Sequence, residues 1–390
     1  MCKEYKKIYV ISILLYPILF SYYGGFLSFT LADVLYLPIL MVGAYIIVAK
    51  KNRKANINSS WFCFFLYFII YSLFIILINQ RYDTLLKHLR YAVYLVSLAI
   101  YIPTFFDKDF SIKCIKIISR IIAVFAIIQA IGIYVFHKYI PGLFGFLNLS
   151  NTELLDYGTD YSEGILRVSS FFVEPAHLGA YLGCSLVVCL FSGYDSSSKL
   201  FSKTNDVLLI LIALFFSVSS TAYIMAFFIC GLALVEYFKK LKISKNSMIT
   251  ILLLFLICCI TLFFISKTSI FTMFVDRTFH GEAKSYHDRT NGYDLIFYNQ
   301  NVVNRLIGNG FIDNPTQKYI PSIPTLFWNL GTIGCLSYII IFLKTFRCSR
   351  SSLNKMLLVA FIVLGTGTLA YFSYIIMLYF GFINAKDEGV

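Results

Sequence analysis

The chain has 390 residues, of which 59% are hydrophobic, 18% aromatic and only 14% charged, and its mean hydropathy is +0.76. A soluble globular protein carries about 25% charged residues, because a packed core needs a solvated surface. The long apolar runs do not alternate with polar residues, which excludes a transmembrane barrel. We therefore predict an all-α polytopic membrane protein in which residues 1–390 form a single integral membrane domain.

The net charge of +13 does not predict a nucleic-acid partner. Membrane proteins concentrate Lys and Arg on the cytoplasmic side, so an excess of basic over acidic residues is expected in them. The ten cysteines form no CxxC pair and no cluster with histidine. The sequence therefore predicts neither a disulfide framework nor a metal site.

Apolar segments of about the 20 residues that a membrane-crossing helix needs recur along the chain. We count eleven and expect ten to twelve helices. These segments are 8–29, 33–49, 61–78, 91–106, 121–140, 175–194, 206–219, 221–238, 248–266, 325–343 and 356–383. The last contains Gly365 and Gly367, so it is either one tilted helix or a broken hairpin, and the side of the C terminus stays open.

The distribution of Lys and Arg predicts that the N terminus is cytoplasmic. With this orientation the cytoplasmic segments hold 21 basic residues and the longer outward segments hold 11. Cytoplasmic connections are the ones expected to be enriched in positive charge.

Two outward loops are much longer than the other connections, 137–174 and 267–324, and loops of this length often carry function. In the second loop, apolar residues from Tyr293 to Leu306 follow a helical spacing. The spacing predicts an amphipathic helix lying on the membrane surface.

The segment from Arg167 to Gly183, RVSSFFVEPAHLGAYLG, is the most informative. Proline suits the first helical position and the residue before it avoids helical geometry, so a helix should begin at Pro175 with Glu174 as its N-cap. The preceding residues, 169–173, should be irregular chain, which at membrane depth is tolerated only inside protein or beside a water-filled cavity.

Two interpretations of Glu174 and His177 remain open at this point. In one, Glu174 only caps the helix and His177 is an interfacial histidine. In the other, these two residues and Arg167 form a functional cluster, because ionisable groups near membrane depth are costly.

Further cations in the outward segments are weaker candidates. Arg289 opens the amphipathic segment and Arg277 precedes it in a charged stretch that is otherwise typical of a solvated loop. Four residues near the fourth helix could join an anion site or anchor the helix at the interface: Arg81, Lys87, His88 and Arg90. LIGNGF, residues 306–311, predicts a shaped glycine turn and not a nucleotide-binding loop.

Taken together, RVSSFFVEPAHLGAYL, the SSTAYI turn after an apolar helix, and the outward loop with DRTNGYDLIFYNQNVVNRLIGNGF and PSIPTLFWNLGTIGCLSYIIIF resemble the O-antigen polymerase (Wzy-type) family and its relatives, the O-antigen ligases. The resemblance covers about residues 150–343 in order and spacing, and the N-terminal half in hydropathy alone. It implies a glycosyltransferase of GT-C-like architecture in the bacterial inner membrane.

The resemblance also implies a reaction. Such enzymes transfer a growing glycan from undecaprenyl diphosphate onto a lipid-linked repeat unit at the outer face of the membrane, with no metal, nucleotide sugar or other cofactor. The implied partners are the lipid-linked oligosaccharide, membrane lipid and a chain-length regulator protein.

The site residues follow from the resemblance by position. Arg167 and Arg289 map to the functional arginines of the two outward loops, with Arg277 as a further substrate-binding residue. Some family members have a glycine eleven residues after the first arginine, but Gly179 lies one position too far from Arg167. Glu174 is the expected general base, with His177 assisting. The alternatives are an O-antigen ligase and, in a different class, a flippase or transporter of lipid-linked oligosaccharide.

Overall fold

A computed structural model describes residues 2–25, 29–49, 55–145, 147–149, 167–192, 204–240, 300–312 and 320–385. Within these ranges all regular structure is helical, apart from two isolated bridges that join Tyr22 to Leu149 and Tyr23 to Thr30. The prediction of an all-α protein is confirmed for this part of the chain.

The helices are α1 (Cys2–Leu19), α2 (Leu31–Ala49), α3 (Ser59–Asn79), α4 (Leu85–Val96), α5 (Ile102–Phe105), α6 (Lys108–Tyr134), α7 (Pro175–Phe191), α8 (Thr204–Phe216), α9 (Ser220–Lys240), α10 (Val302–Ile307), α11 (Ser322–Cys348), α12 (Ser352–Gly367) and α13 (Ile375–Asn384). A 3₁₀ turn at Tyr82–Thr84 leads into α4, and a π-helical stretch at Ser97–Tyr101 joins α4 to α5.

The lengths and surfaces of these helices are compatible with a membrane protein. In the described ranges five helices are long and apolar enough to cross a bilayer: α2, α3, the continuous rod Tyr82–Phe105, α6 and α11. Five more apolar helices, α7, α8, α9, α12 and α13, are shorter. Large apolar side chains such as Val48 and Phe227, each 80% exposed, stand on the outer surface, as contact with lipid requires. The predicted segment 248–266 lies outside the described residues.

Contacts between the helix termini define two ends of the bundle. At the end that we call distal, the ring of Phe20 after α1 lies 4.5 Å from that of Tyr374 before α13. At the opposite end, called proximal, Lys108 at the start of α6 donates a hydrogen bond of 3.1 Å to Asn354 near the start of α12. In the predicted orientation the distal end faces outward.

The last apolar segment is a broken hairpin, which resolves the alternative that the sequence left open. Asn354 in α12 donates a hydrogen bond of 3.2 Å to the carbonyl of Ile383 in α13, and the rings of Phe361 and Tyr379 lie 5.4 Å apart. These pairings require antiparallel helices. The end of α13 therefore lies at the proximal end, together with the start of α1.

Helix α11 is interrupted near its first third, at Gly331, whose φ of 63° is left-handed. The break frees the carbonyl oxygens of Trp328 and Asn329, and these accept hydrogen bonds of 2.8 and 2.9 Å from the amides of Asn309 and Gly310. The predicted glycine turn at 306–311 is therefore docked on the kink of α11, because buried carbonyls must find donors.

Replacement of Gly331 by Ala is expected to loosen this docking. A Cβ atom at this position would collide with the carbonyl of Leu306, and a side chain at positive φ adds strain of about 1–3 kcal/mol. We expect a lower melting temperature of the purified protein. Gly231→Ala is the matched control, because a Cβ atom there meets nothing within 4 Å; equal melting temperatures for the two variants would contradict the prediction.

Candidate functional site

A cavity of about 480 Å³ opens among the distal ends of the helices. Ligand pockets generally fall in this range of size. Its walls come from the end of α1, the face of α4, the start of α7, the loop before α11, the first turns of α11 and the turn between α12 and α13. The lining residues are Phe20, Lys87, Arg90, Tyr91, Tyr94, Glu174, Ala176, His177, Phe311, Ile312, Ile320, Thr325, Trp328, Asn329, Thr368, Leu369, Phe372, Ser373, Tyr374 and Ile375.

Glu174 stands at the start of α7, as predicted, but its side chain does not cap the helix. The residue has the extended φ and ψ of an N-cap, −120° and 142°, and its carboxylate makes no capping hydrogen bond. Instead Glu174 lines the cavity. Glu174 is therefore the N-cap residue by its backbone, as predicted, while its carboxylate takes no part in capping the helix.

The irregular chain before Glu174 is held rigidly. Ser170 has a φ of 53°, its amide donates a hydrogen bond of 2.7 Å to the Gln129 side chain, and its hydroxyl donates to the carbonyl of Ile122 at 2.9 Å. Val168 and Phe172 on either side are fully buried. The predicted irregular segment thus lies inside protein, where α6 supplies the hydrogen bonds that water would otherwise make.

His177 lies one helical turn after Glu174 and also lines the cavity. Its imidazole packs edge-on against the ring of Tyr374, with 6.2 Å between the ring centroids. Burial, followed by the negative charge of Glu174, raises the pKa of the Tyr374 phenol. Glu174, His177 and Tyr374 therefore form one group on the cavity wall.

Two cations from α4, Lys87 and Arg90, line the same cavity. A carboxylate outside the wall fixes Arg90: the guanidinium Nε and Nη2 lie 3.1 and 2.9 Å from Oδ2 of Asp33. The guanidinium carbon also lies 5.6 Å from the centroid of the Phe20 ring, within the range of a cation–π contact.

Asp33 is itself buried and held in place. Its side chain is 7% exposed. One carboxylate oxygen accepts a hydrogen bond from the Tyr16 hydroxyl, while the other accepts from the amide and hydroxyl of Thr30 at 3.0 and 2.9 Å. Because these donors orient the carboxylate, Asp33 holds the Arg90 guanidinium in one orientation.

Aromatic side chains supply most of the remaining wall. Phe311 packs against Phe372, with ring centroids 5.3 Å apart, and Trp328 donates a hydrogen bond of 3.0 Å to the carbonyl of Ile312. The docked turn before α11 therefore helps to shape the cavity.

The structure brings together some of the residues singled out in the sequence and not others. Glu174 and His177 share the cavity. Arg167 is half-buried and is not among the residues that line it, and Arg289 and Arg277 lie outside the described residues. Lys87 and Arg90, which the sequence left undecided between an anion site and an interface anchor, belong to the wall.

The signal for the α4 face was present in the sequence. Lys87, Arg90, Tyr91 and Tyr94 follow the spacing i, i+3, i+4 and i+7, which places them on one side of a helix. The carboxylate that pairs with Arg90, Asp33, is distant in sequence, and only the packing of α2 against α4 reveals the pair.

The described part of the chain holds no group of three or more His, Cys, Asp and Glu side chains that could bind a metal ion. Among the described residues, the cavity wall has one carboxylate, one imidazole and two cations. Its charge pattern suits an anionic ligand next to a proton acceptor.

A comparison of the chain with protein-family models, curated proteins and solved structures finds no match.

Proposed function

We propose that the protein is a polysaccharide polymerase, a glycosyltransferase that moves a growing glycan from undecaprenyl diphosphate onto a lipid-linked repeat unit. The observation that supports this proposal is the distal cavity, which combines a carboxylate without a capping role, an imidazole and two cations between aromatic walls. The reaction needs a proton acceptor for the incoming hydroxyl and positive charge for the departing diphosphate, and this cavity holds both.

In the proposed reaction Glu174 is the general base. Its carboxylate takes the proton of the acceptor hydroxyl as the oxygen attacks the anomeric carbon of the donor, which forms the new glycosidic bond. His177, on the next turn, orients the hydroxyl and shares the proton. Glu174 is half-buried in the cavity wall.

Arg90 and Lys87 receive the leaving group. The bond between the anomeric carbon and the diphosphate oxygen breaks with both electrons going to oxygen, so negative charge develops on the diphosphate. A guanidinium held by Asp33 is a preorganised donor for that charge and can contact two phosphate oxygens at once. Arg167, Arg289 and Arg277 stay in the proposal as further contacts to the donor from the two outward loops.

The proposed location is the bacterial inner membrane, with a cytoplasmic N terminus and the cavity at the outer face. There the proposed partners are the lipid-linked oligosaccharide, which the aromatic walls would hold by its sugar rings, membrane lipid and a chain-length regulator protein.

The function is tested by deleting the gene and separating the surface glycan on a gel. Loss of a polymerase should leave lipid A core bearing one repeat unit and remove the ladder of longer products. A ligase, or a flippase for lipid-linked oligosaccharide, should instead lose the single-unit band as well, and an unchanged ladder would contradict all three functions.

A further inference from the structure

A second cavity, of about 550 Å³, lies at the proximal end of the bundle, away from the proposed active site. It is lined by the start of α3, the end of α11, the start of α12 and the end of α13. Two of its lining residues, Lys344 and Arg350, are cationic, and no carboxylate occurs among the described residues that line it.

Two polar atoms of the lining residues are buried without a hydrogen-bond partner in the described part of the chain. They are Oγ of Ser349 and Nδ2 of Asn384. An unsatisfied buried polar atom destabilises the fold, so its presence in a native structure calls for a partner. Both groups carry donor hydrogens and belong to residues at the cavity.

The backbone around this cavity adds further donors. Helix α3 begins at Ser59, and the side chain of Asn58 accepts a hydrogen bond of 3.4 Å from the Trp61 amide. The amides of Ser59 and Ser60, both at the cavity, precede the first helical hydrogen bond and have no partner within the helix. A helix N-terminus with such free amides attracts anions.

The floor of the cavity is structurally fixed. Asn354, 7% exposed, accepts a hydrogen bond of 3.1 Å from Lys108 and donates one of 3.2 Å to the Ile383 carbonyl. The amide of Asn354 is thus occupied, while the buried ammonium of Lys108 adds positive charge close to the cavity.

We propose that this proximal cavity binds a phosphate-bearing anion, most simply the headgroup of an anionic phospholipid in the adjacent leaflet. Donors that fit phosphate oxygens come from Lys344, Arg350 and the amides at the start of α3, with Ser349 and Asn384 beside them. Basic pockets between helices at the cytoplasmic side of a membrane are typical sites for anionic headgroups. This site is independent of the proposed glycosyl transfer.

The test measures the melting temperature of the purified full-length chain, after delipidation in neutral detergent, with added phosphatidylglycerol, phosphatidylcholine or inorganic phosphate. Phosphatidylglycerol should raise the melting temperature by about 5 °C at saturation, because a ligand that binds only the folded state stabilises it. Phosphatidylcholine should not. If inorganic phosphate alone reproduces the rise, the same site is occupied by the free anion; if only the lipid does, the ligand is the headgroup.

The double variant Lys344→Gln/Arg350→Gln should lose this response. Its matched control is Arg347→Gln/Lys355→Gln, which removes the same charge from the same segment at residues that do not line the cavity. The double variant Ser349→Ala/Asn384→Ala changes no charge. It should need about ten times more lipid for half of the rise in melting temperature, because it removes two hydrogen bonds worth about 1.4 kcal/mol together.

Equal loss of the response in the control pair would overturn the proposal, since general charge attraction would then account for it. An equal rise with phosphatidylcholine would overturn it as well. If Lys344→Gln/Arg350→Gln does not fold, the test rests on Ser349→Ala/Asn384→Ala. An unchanged lipid response of that variant would contradict the proposed binding site.

Discussion

Replacement of Glu174 by Gln is expected to reduce polymer synthesis by a factor of about 10²–10⁴, the usual contribution of a general base. Gln keeps the size of the side chain and its place at the start of α7 but cannot accept the acceptor's proton. Because the Glu174 side chain makes no capping hydrogen bond, the change should leave the melting temperature nearly unaltered. The measurement is polymer formed by purified protein from supplied lipid-linked repeat units.

The control for this experiment is Glu4→Gln. Glu4 is an exposed carboxylate at the proximal end that pairs with Lys7 at 3.0 Å, so its loss should not affect the reaction. His177→Gln should lower synthesis less than Glu174→Gln does. Near-normal polymer from Glu174→Gln, with a large loss from His177→Gln, would assign the base to His177 instead.

The second large effect is expected at Arg90. Arg90→Ala removes the guanidinium from the cavity and leaves Asp33 buried without its cationic partner. We expect synthesis to fall by a factor of about 10²–10³, as for the loss of one preorganised donor. The free energy of unfolding should also fall by up to about 3 kcal/mol, because one member of a largely buried ion pair is missing. Arg90→Lys should restore part of the activity, since it keeps the charge but lacks the fork.

A double variant separates the two effects. Adding Asp33→Asn to Arg90→Ala removes the uncompensated charge and should recover much of the melting temperature while polymer synthesis stays low. Arg120→Ala is the control: Arg120 forms a two-point pair with Asp206 at 2.9 and 3.1 Å, but it is 59% exposed and is not among the residues that line the distal cavity. Exposed pairs contribute little. Recovery of synthesis together with stability in the double variant would show that Arg90 acts only on folding.

Local sequence signals determined the start of α7 and the docked turn. Pro175 fixes a helix start because its ring sets φ and removes an amide that has no helical partner there. The glycines of residues 306–311 predicted a shaped turn, and Gly308 and Gly310 have the φ values of 82° and 73° that such turns need. Both signals depend on the conformations available to single residues, so they can be read without knowledge of the rest of the chain.

The sequence by itself therefore determined the helical class and the apolar character of the helices, because composition and short-range spacing control these. Only the tertiary structure decided the break of the last span into α12 and α13, the place of Glu174 on the cavity wall and the meeting of Arg90 with Asp33. Asp33 and Arg90 are 57 positions apart, and Glu174 meets the turn before α13 across about 200 residues of chain. Such contacts depend on how helices pack against one another, and the periodicity of a single helix carries no information about which neighbour its polar face will meet.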